Sequence, residues 1–235
     1  MAIFSDNWHP YISFYGYVNK RGEKVIESKY SYADNFSEGL ALVMTDDDFC
    51  GFINLSGQEI LPITGAFRTF SEGLALEYTW ESIDKHKYSN ESIYIVDEHG
   101  GYEKSRFFIN MNGEKTIEVE KYDEVESFSN GLAKISVDSK IGYIDQVGNE
   151  IVKPRYDRSE FNKSGTFSEG LAVVQQNNRW GYITNNGDEI IPLLYFNAGK
   201  FSNGLARVEY CNKKTINYCI CSGYFDSKGI EYWED

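Results

Sequence analysis

The chain has 235 residues, 41% of them hydrophobic and 25% charged, which is room for one large or two small globular domains and too apolar for a disordered segment. Its 23 Lys and Arg against 36 Asp and Glu leave a net charge of −13, which argues against nucleic acid and anionic membrane surfaces as partners. An aromatic share of 16%, with 21 Gly and only 4 Pro, tilts the chain towards β structure punctuated by turns.

The stretch from Met1 to Trp8 has neither a basic n-region nor an apolar h-region. No apolar run reaches the ~18 residues of a membrane-spanning helix. A cytoplasmic protein is expected. From Gly16 onward the chain repeats itself. One element runs Gly, aromatic, β-branched residue, Asn or Asp, two variable residues, Gly. It begins at Gly16, Gly51, Gly142, Gly181 and Gly223, with a copy at Phe107 that lacks the first glycine. A short apolar run follows, usually preceded by a Glu (Glu59, Glu150, Glu189, Glu231) and often ending in Pro and Tyr, as in Ile151 to Tyr156 and Ile190 to Tyr195. Then comes Phe-Ser-(Glu/Asn)-Gly-Leu-Ala, starting at Phe36, Phe70, Phe128, Phe167 and Phe201. The intervals are 34, 58, 39 and 34 residues.

Each element has a physical meaning. The Gly-Leu-Ala and aromatic-Ile segments read as short strands bounded by turns. Asn/Asp-x-x-Gly is a type I turn whose polar side chain caps the turn and whose Gly takes the left-handed conformation, so the second and third strands form a hairpin. Gly148 should therefore have φ > 0. The glycines Gly39, Gly73, Gly131, Gly170 and Gly204 read as structural turn positions. The Phe before each is an anchor expected to pack under the next unit. The recurrent Ala marks a close approach, and the recurrent Glu reads as structural or surface. Aromatics inside the repeated columns (Tyr17, Phe52, Tyr143, Tyr182) read as core.

Together these elements resemble the WG, or KWG, repeat family, most closely in Phe167 to Ala172 followed by Arg179-Trp180-Gly181-Tyr182-Ile183. The family's Trp survives only at Trp180, where the other copies hold Tyr15, Cys50, Arg106, Ile141 and Ser222. The resemblance spans residues 15 to 232. It implies a mostly bacterial family of binding or interaction modules with no catalytic motif to carry over. The expected fold is all-β: one domain over 1–235, built from about six three-stranded antiparallel units, with the chain starting at strand two of a unit. An elongated array is expected in preference to a closed, propeller-like ring.

The 58-residue interval holds an insertion within 80–106, with a possible extra strand at Ser92 to Asp97 and a turn at Gly100-Gly101. Insertions in repeats map to loops on one face, often the binding face. Trp80, Tyr88, Tyr94, Tyr102 and His86 are therefore the candidate partner contacts. Trp8, Tyr11, Tyr210, Tyr218 and Trp233 also lie outside the columns. No phosphate loop, nucleophile elbow or metal-spaced histidine pair is present. His9, His86 and His99 read as surface residues, and Asp46-Asp47-Asp48 as a solvated loop. Cys50, Cys211, Cys219 and Cys221 read as reduced structural thiols, with Cys219 and Cys221 on one strand face. The expectation is a non-enzymatic scaffold for another protein, with no cofactor or metal. The alternative is a carbohydrate or cell-wall-fragment binder that uses exposed aromatics.

Overall fold

The computed structural model describes residues 1–9, 12–45, 49–82, 101–158, 165–212 and 219–233; the side chains of 7–9, 12, 63–66, 79–82, 101–104, 211–212, 219–220 and 233 lie outside the description. Every strand pairing is antiparallel, and the described elements are all strands. The chain divides into two compact units, Met1–Glu120 and Lys121–Asp235.

In the first unit, the first repeat is a three-stranded sheet of Ala2–His9, Ile12–Val18 and Lys24–Tyr30. Its strand one, Ala2–His9, was not legible, because no Phe-Ser-x-Gly precedes it; the chain does not start at strand two as expected. The second repeat is Tyr32–Ala33, Leu40–Met44, Cys50–Asn54 and Glu59–Phe67. The third is Leu74–Ser82, Gly101–Asn110 and Lys115–Glu118. These two share Glu59–Phe67, which pairs with Cys50–Asn54 and with Leu74–Ser82, giving one seven-stranded sheet.

The second unit holds three four-stranded sheets. They are Glu124–Val125, Leu132–Val137, Lys140–Asp145, Glu150–Asp157; then Phe167–Ser168, Leu171–Gln176, Arg179–Thr184, Glu189–Tyr195; then Asn197–Ala198, Leu205–Asn212, Cys219–Asp226, Glu231–Trp233. The fourth strand in each is a two-residue edge piece that the three-stranded expectation lacked.

Both expected turns form, and the glycines explain them. In Phe-Ser-x-Gly the flanking Ser and Leu exchange both backbone bonds, as at Ser37 and Leu40 (2.9 and 3.0 Å). That closes a two-residue hairpin with φ > 0 at both central residues, for example Glu38 at 54° and Gly39 at 85°. In the Asn/Asp turn, Asp145 Oδ1 accepts from the Val147 and Asn149 amides at 3.0 and 2.8 Å, and Gly148 sits at φ 87°. Gly148→Val should therefore cost about 1–3 kcal/mol through backbone strain, read as a shift in the denaturation midpoint. An unchanged midpoint would contradict the turn.

The core lies between consecutive sheets, which is why strands one and two are buried on both faces rather than alternating (Leu171 to Val174; Trp180 to Ile183). One cluster joins Leu132, Tyr143, Val152 and Tyr156 to Ala172, Val174 and Ile183 of the next repeat. The recurrent alanines, Ala41, Ala75, Ala133, Ala172 and Ala206, are at most 1% exposed. The Phe anchors face backwards rather than forwards. Phe36, Phe70, Phe167 and Phe201 each meet the strand-two aromatic of the preceding repeat (Tyr17, Phe52, Tyr143, Tyr182) at 4.7–5.1 Å between ring centroids. Those tyrosines also donate to backbone carbonyls at the repeat junction: Tyr17 to Asp34, Tyr143 to Gly165, Tyr182 to Gly199, at 2.6–2.8 Å. Burial pushes the three phenols well up, so they remain neutral donors.

Two further side-chain links recur one repeat apart. Glu38 accepts from the Gly73 amide and Glu169 from the Gly204 amide, each at 2.8 Å. That contact accounts for Glu in a left-handed position which otherwise favours Asn or Gly. Three of the Glu residues before strand three accept the hydroxyl of an upstream Tyr: Tyr122 to Glu150 (3.0 Å), Tyr156 to Glu189 (3.0 Å), Tyr195 to Glu231 (3.2 Å). The residue before the Tyr adds a cation. Lys121 and Arg155 stack on their own Tyr rings and reach Glu150 and Glu189 at 2.8 and 3.3 Å.

The bonds from Lys121 and Tyr122 hold the Glu150 carboxyl below its usual range. A depressed folded-state value adds stability that is present above the unfolded value and lost as pH falls through the folded one. The melting temperature should therefore fall as pH drops below about 4–5, and Glu150→Gln should flatten that acid limb. An identical acid limb in the variant would remove Glu150 from the account.

Candidate functional site

The hairpin between strands one and two distinguishes the repeats. In the fourth and fifth it closes in two residues, Asp138-Ser139 and Asn177-Asn178, all at positive φ. In the first, third and sixth it is lengthened. The third pairs from Leu74 opposite Asn110 out to Ser82 opposite Gly101, and the sixth from Leu205 opposite Asp226 out to Asn212 opposite Cys219. Residues 80–82 and 101–106 of the insertion thus continue this hairpin. Gly101 belongs to strand two rather than to a turn.

Two of the predicted contacts, Trp80 and Tyr102, fall on these paired residues. Trp80 stands opposite Glu103, and Tyr102 opposite Glu81, on the paired backbone; their side chains lie outside the description. His86, Tyr88 and Tyr94, the possible strand at Ser92 to Asp97 and Asp46-Asp47-Asp48 lie outside the described residues. Trp8 and His9 occupy the corresponding hairpin of the first repeat, and Trp233 lies opposite Gly223 in the last sheet.

At the sixth hairpin the root presents an exposed aromatic. Tyr210 stands opposite Cys221 and is 44% exposed. Asn197 pairs with Glu209, so Phe196 comes next to Tyr210 across the ladder; its amide donates to the Glu209 carbonyl at 2.7 Å, and its ring is 54% exposed. Leu194, 57% exposed, precedes Tyr195, the last residue of the fifth sheet's edge strand Glu189–Tyr195. By strand alternation Phe196 and Tyr210 lie on the face of the sixth sheet that carries buried Ala198 and Val208, which pack under the fifth repeat. An inter-repeat core therefore runs out into an uncovered apolar ledge. Sequence reasoning found Tyr210 but missed Phe196 and Leu194. The signal for Leu194 was its column, which holds Lys29, Lys121 and Arg155 elsewhere.

Cys50 and Cys221 are half-buried thiols, Cys50 Sγ lies 3.6 Å from Met44 Sδ, and Cys219 is on the same strand as Cys221. Among the described residues no three His, Cys, Asp or Glu gather as metal ligands, and no helix is long and apolar enough to cross a membrane.

The model of the WG containing repeat matches residues 15–47, 107–140, 141–180 and 180–214, more than half of the chain. No curated protein matches the sequence. Among solved structures, the AfRom2 CNH domain is similar over 95% of this chain and 88% of its own, at 9% identity and a TM-score of 0.31, too slight a likeness to bear on function.

Proposed function

The chain belongs to the WG repeat family, and from that premise we propose a non-enzymatic scaffold that binds another protein through the ends of its lengthened one–two hairpins. The observation that carries this is the neighbouring pair Phe196 and Tyr210, 54% and 44% exposed at the root of the sixth hairpin. Large aromatics bury much area with few rotors, and they anchor protein contacts. The net charge of −13 favours a neutral or basic partner surface over an acidic one.

The test uses tagged full-length chain on lysate, with retained proteins quantified by mass spectrometry and a glycan array run in parallel. A Phe196→Ser/Tyr210→Ser double variant with an unchanged melting curve should retain a specific protein roughly 30-fold less, the factor for an anchor worth about 2 kcal/mol. Retention unaffected by this variant and by a short loop in place of 83–100 would sink the proposal. Glycan binding lost in these variants would favour the carbohydrate reading.

A further inference from the structure

In the second, fourth and sixth repeats, a short piece of the chain flanks the outer side of strand one. The Met44 and Leu42 carbonyls accept from the Ser31 and Asp34 amides, both at 2.9 Å. Ser136 and Lys134 accept from Asp123 and Glu126 at 2.8 and 2.9 Å, and Glu209 and Arg207 from Phe196 and Gly199 at 2.7 and 2.8 Å. Between the two donors an apolar residue faces Val43, Ile135 or Val208; these are Ala33, Val125 and Ala198, all buried. The slot is a pair of outward carbonyls that takes an extended segment carrying one apolar side chain.

In the first repeat the same slot stands open. Ile3 lies opposite Tyr17 and Ser5 opposite Tyr15, the register of Leu42 with Phe52 and Met44 with Cys50, so their carbonyls turn to the outer edge. Ala2–His9 is the outer strand of its sheet, and among the described residues nothing pairs with that edge. The edge is also unguarded. Strand three, at the other side of the sheets, carries Lys24 and Lys29 in this repeat, Lys153-Pro154-Arg155 in the fourth and Pro192 in the fifth. Ala2–His9 has neither Lys nor Pro, and its bulge falls beyond the slot, between Asn7 and His9. Asp6 is committed to strand three, its carboxylate held by Lys24 Nζ at 2.8 Å and Ser28 Oγ at 2.7 Å.

We propose that the outer edge of Ala2–His9 takes an extended segment of another protein as an added antiparallel strand, whose amides donate to the Ile3 and Ser5 carbonyls. The segment's chemistry is that of the pieces filling the slot elsewhere: an apolar residue between two residues that donate their amides, neither of them Pro. The net charge of −13 favours a neutral or basic segment. A second copy has no such segment to spare, since Tyr32–Ala33, Glu124–Val125 and Asn197–Ala198 are each paired within their own repeat. The inference goes beyond the hairpin reading and uses other residues, so Phe196→Ser/Tyr210→Ser should leave it unchanged.

The probe is acetyl-Tyr-Phe-Asn-Ala-Gly-Lys-amide, the chain's own 195–200 segment, which its Lys makes cationic. It is titrated into full-length protein labelled with carbon-13 and nitrogen-15, and the backbone amide and carbonyl signals of Ile3 and Ser5 are followed. The expected result is saturable shifts of these signals. N-methylation of the peptide's Phe and Gly removes both donors and should weaken binding roughly tenfold or more, the net worth of two hydrogen bonds. No shift at Ile3 and Ser5, equal shifts with the N-methylated peptide, or shifts confined to Arg207 and Glu209, where the peptide would replace its parent segment, would overturn the proposal. So would movement of the Ile3 and Ser5 signals with protein concentration alone, alongside a dimer in sedimentation, which would assign the edge to a second copy.

Discussion

Trp180→Ala is expected to destabilise the Lys121–Asp235 unit by about 3–5 kcal/mol, the range for truncating a buried Trp. The ring is 5% exposed. It packs with Tyr182, Ile191 and Tyr195 of its own repeat and with Phe201, Val208 and Phe225 of the next. The lost contacts therefore fall on the junction between the fifth and sixth repeats. In a stack of nearest neighbours, a loss there uncouples the end repeat, so the transition should broaden as well as move. Denaturant unfolding followed by circular dichroism reads both effects. Native fluorescence supplies the control: Trp180 should contribute blue-shifted emission that Trp180→Phe removes. A red-shifted, iodide-quenched contribution with stability intact would contradict the packing.

The repeat was legible because its fixed residues answer to the backbone. Gly148 and Gly39 hold positive φ, and Asp145 caps a turn; such demands are met by few residue types, so they stand out in a single sequence. The two-residue edge strands were not legible, since Glu124–Val125 or Asn197–Ala198 carries no pattern of its own and is fixed only by pairing with strand one. The Glu column was visible, yet its partner was not. Tyr156 lies 33 residues from Glu189, and only stacking brings them together. The site divides in the same way. The insertion showed itself as a stretched interval, and Tyr210 as an aromatic outside the columns. Phe196 needed the ladder of Asn197 with Glu209 to place it beside Tyr210.

The family's glycine at Gly142 answers to space rather than to φ, and Gly142→Ala should cost about 3 kcal/mol, the upper end for overpacking. Strand three bulges over it: Ile141 lies opposite Tyr156 and Tyr143 opposite Val152, so four steps on one strand face two on the other. A Cβ at Gly142 would stand 2.4 Å from the Val152 carbonyl oxygen and 2.7 Å from the Pro154 nitrogen. Both neighbours are backbone, so no rotamer change relieves the clash. Gly16 and Gly181 repeat the arrangement, at 2.4 Å from the Ile26 oxygen and 2.5 Å from the Ile191 oxygen. Relief would require undoing the bulge, which would shift Tyr156 out of reach of Glu189 and break the link to the fifth repeat. The comparison is with Gly148→Ala, where only the left-handed backbone objects, at roughly 1–2 kcal/mol. Equilibrium unfolding of the two variants should therefore rank Gly142→Ala as the more damaging. The reverse order would mean that the bulge does not press on strand two.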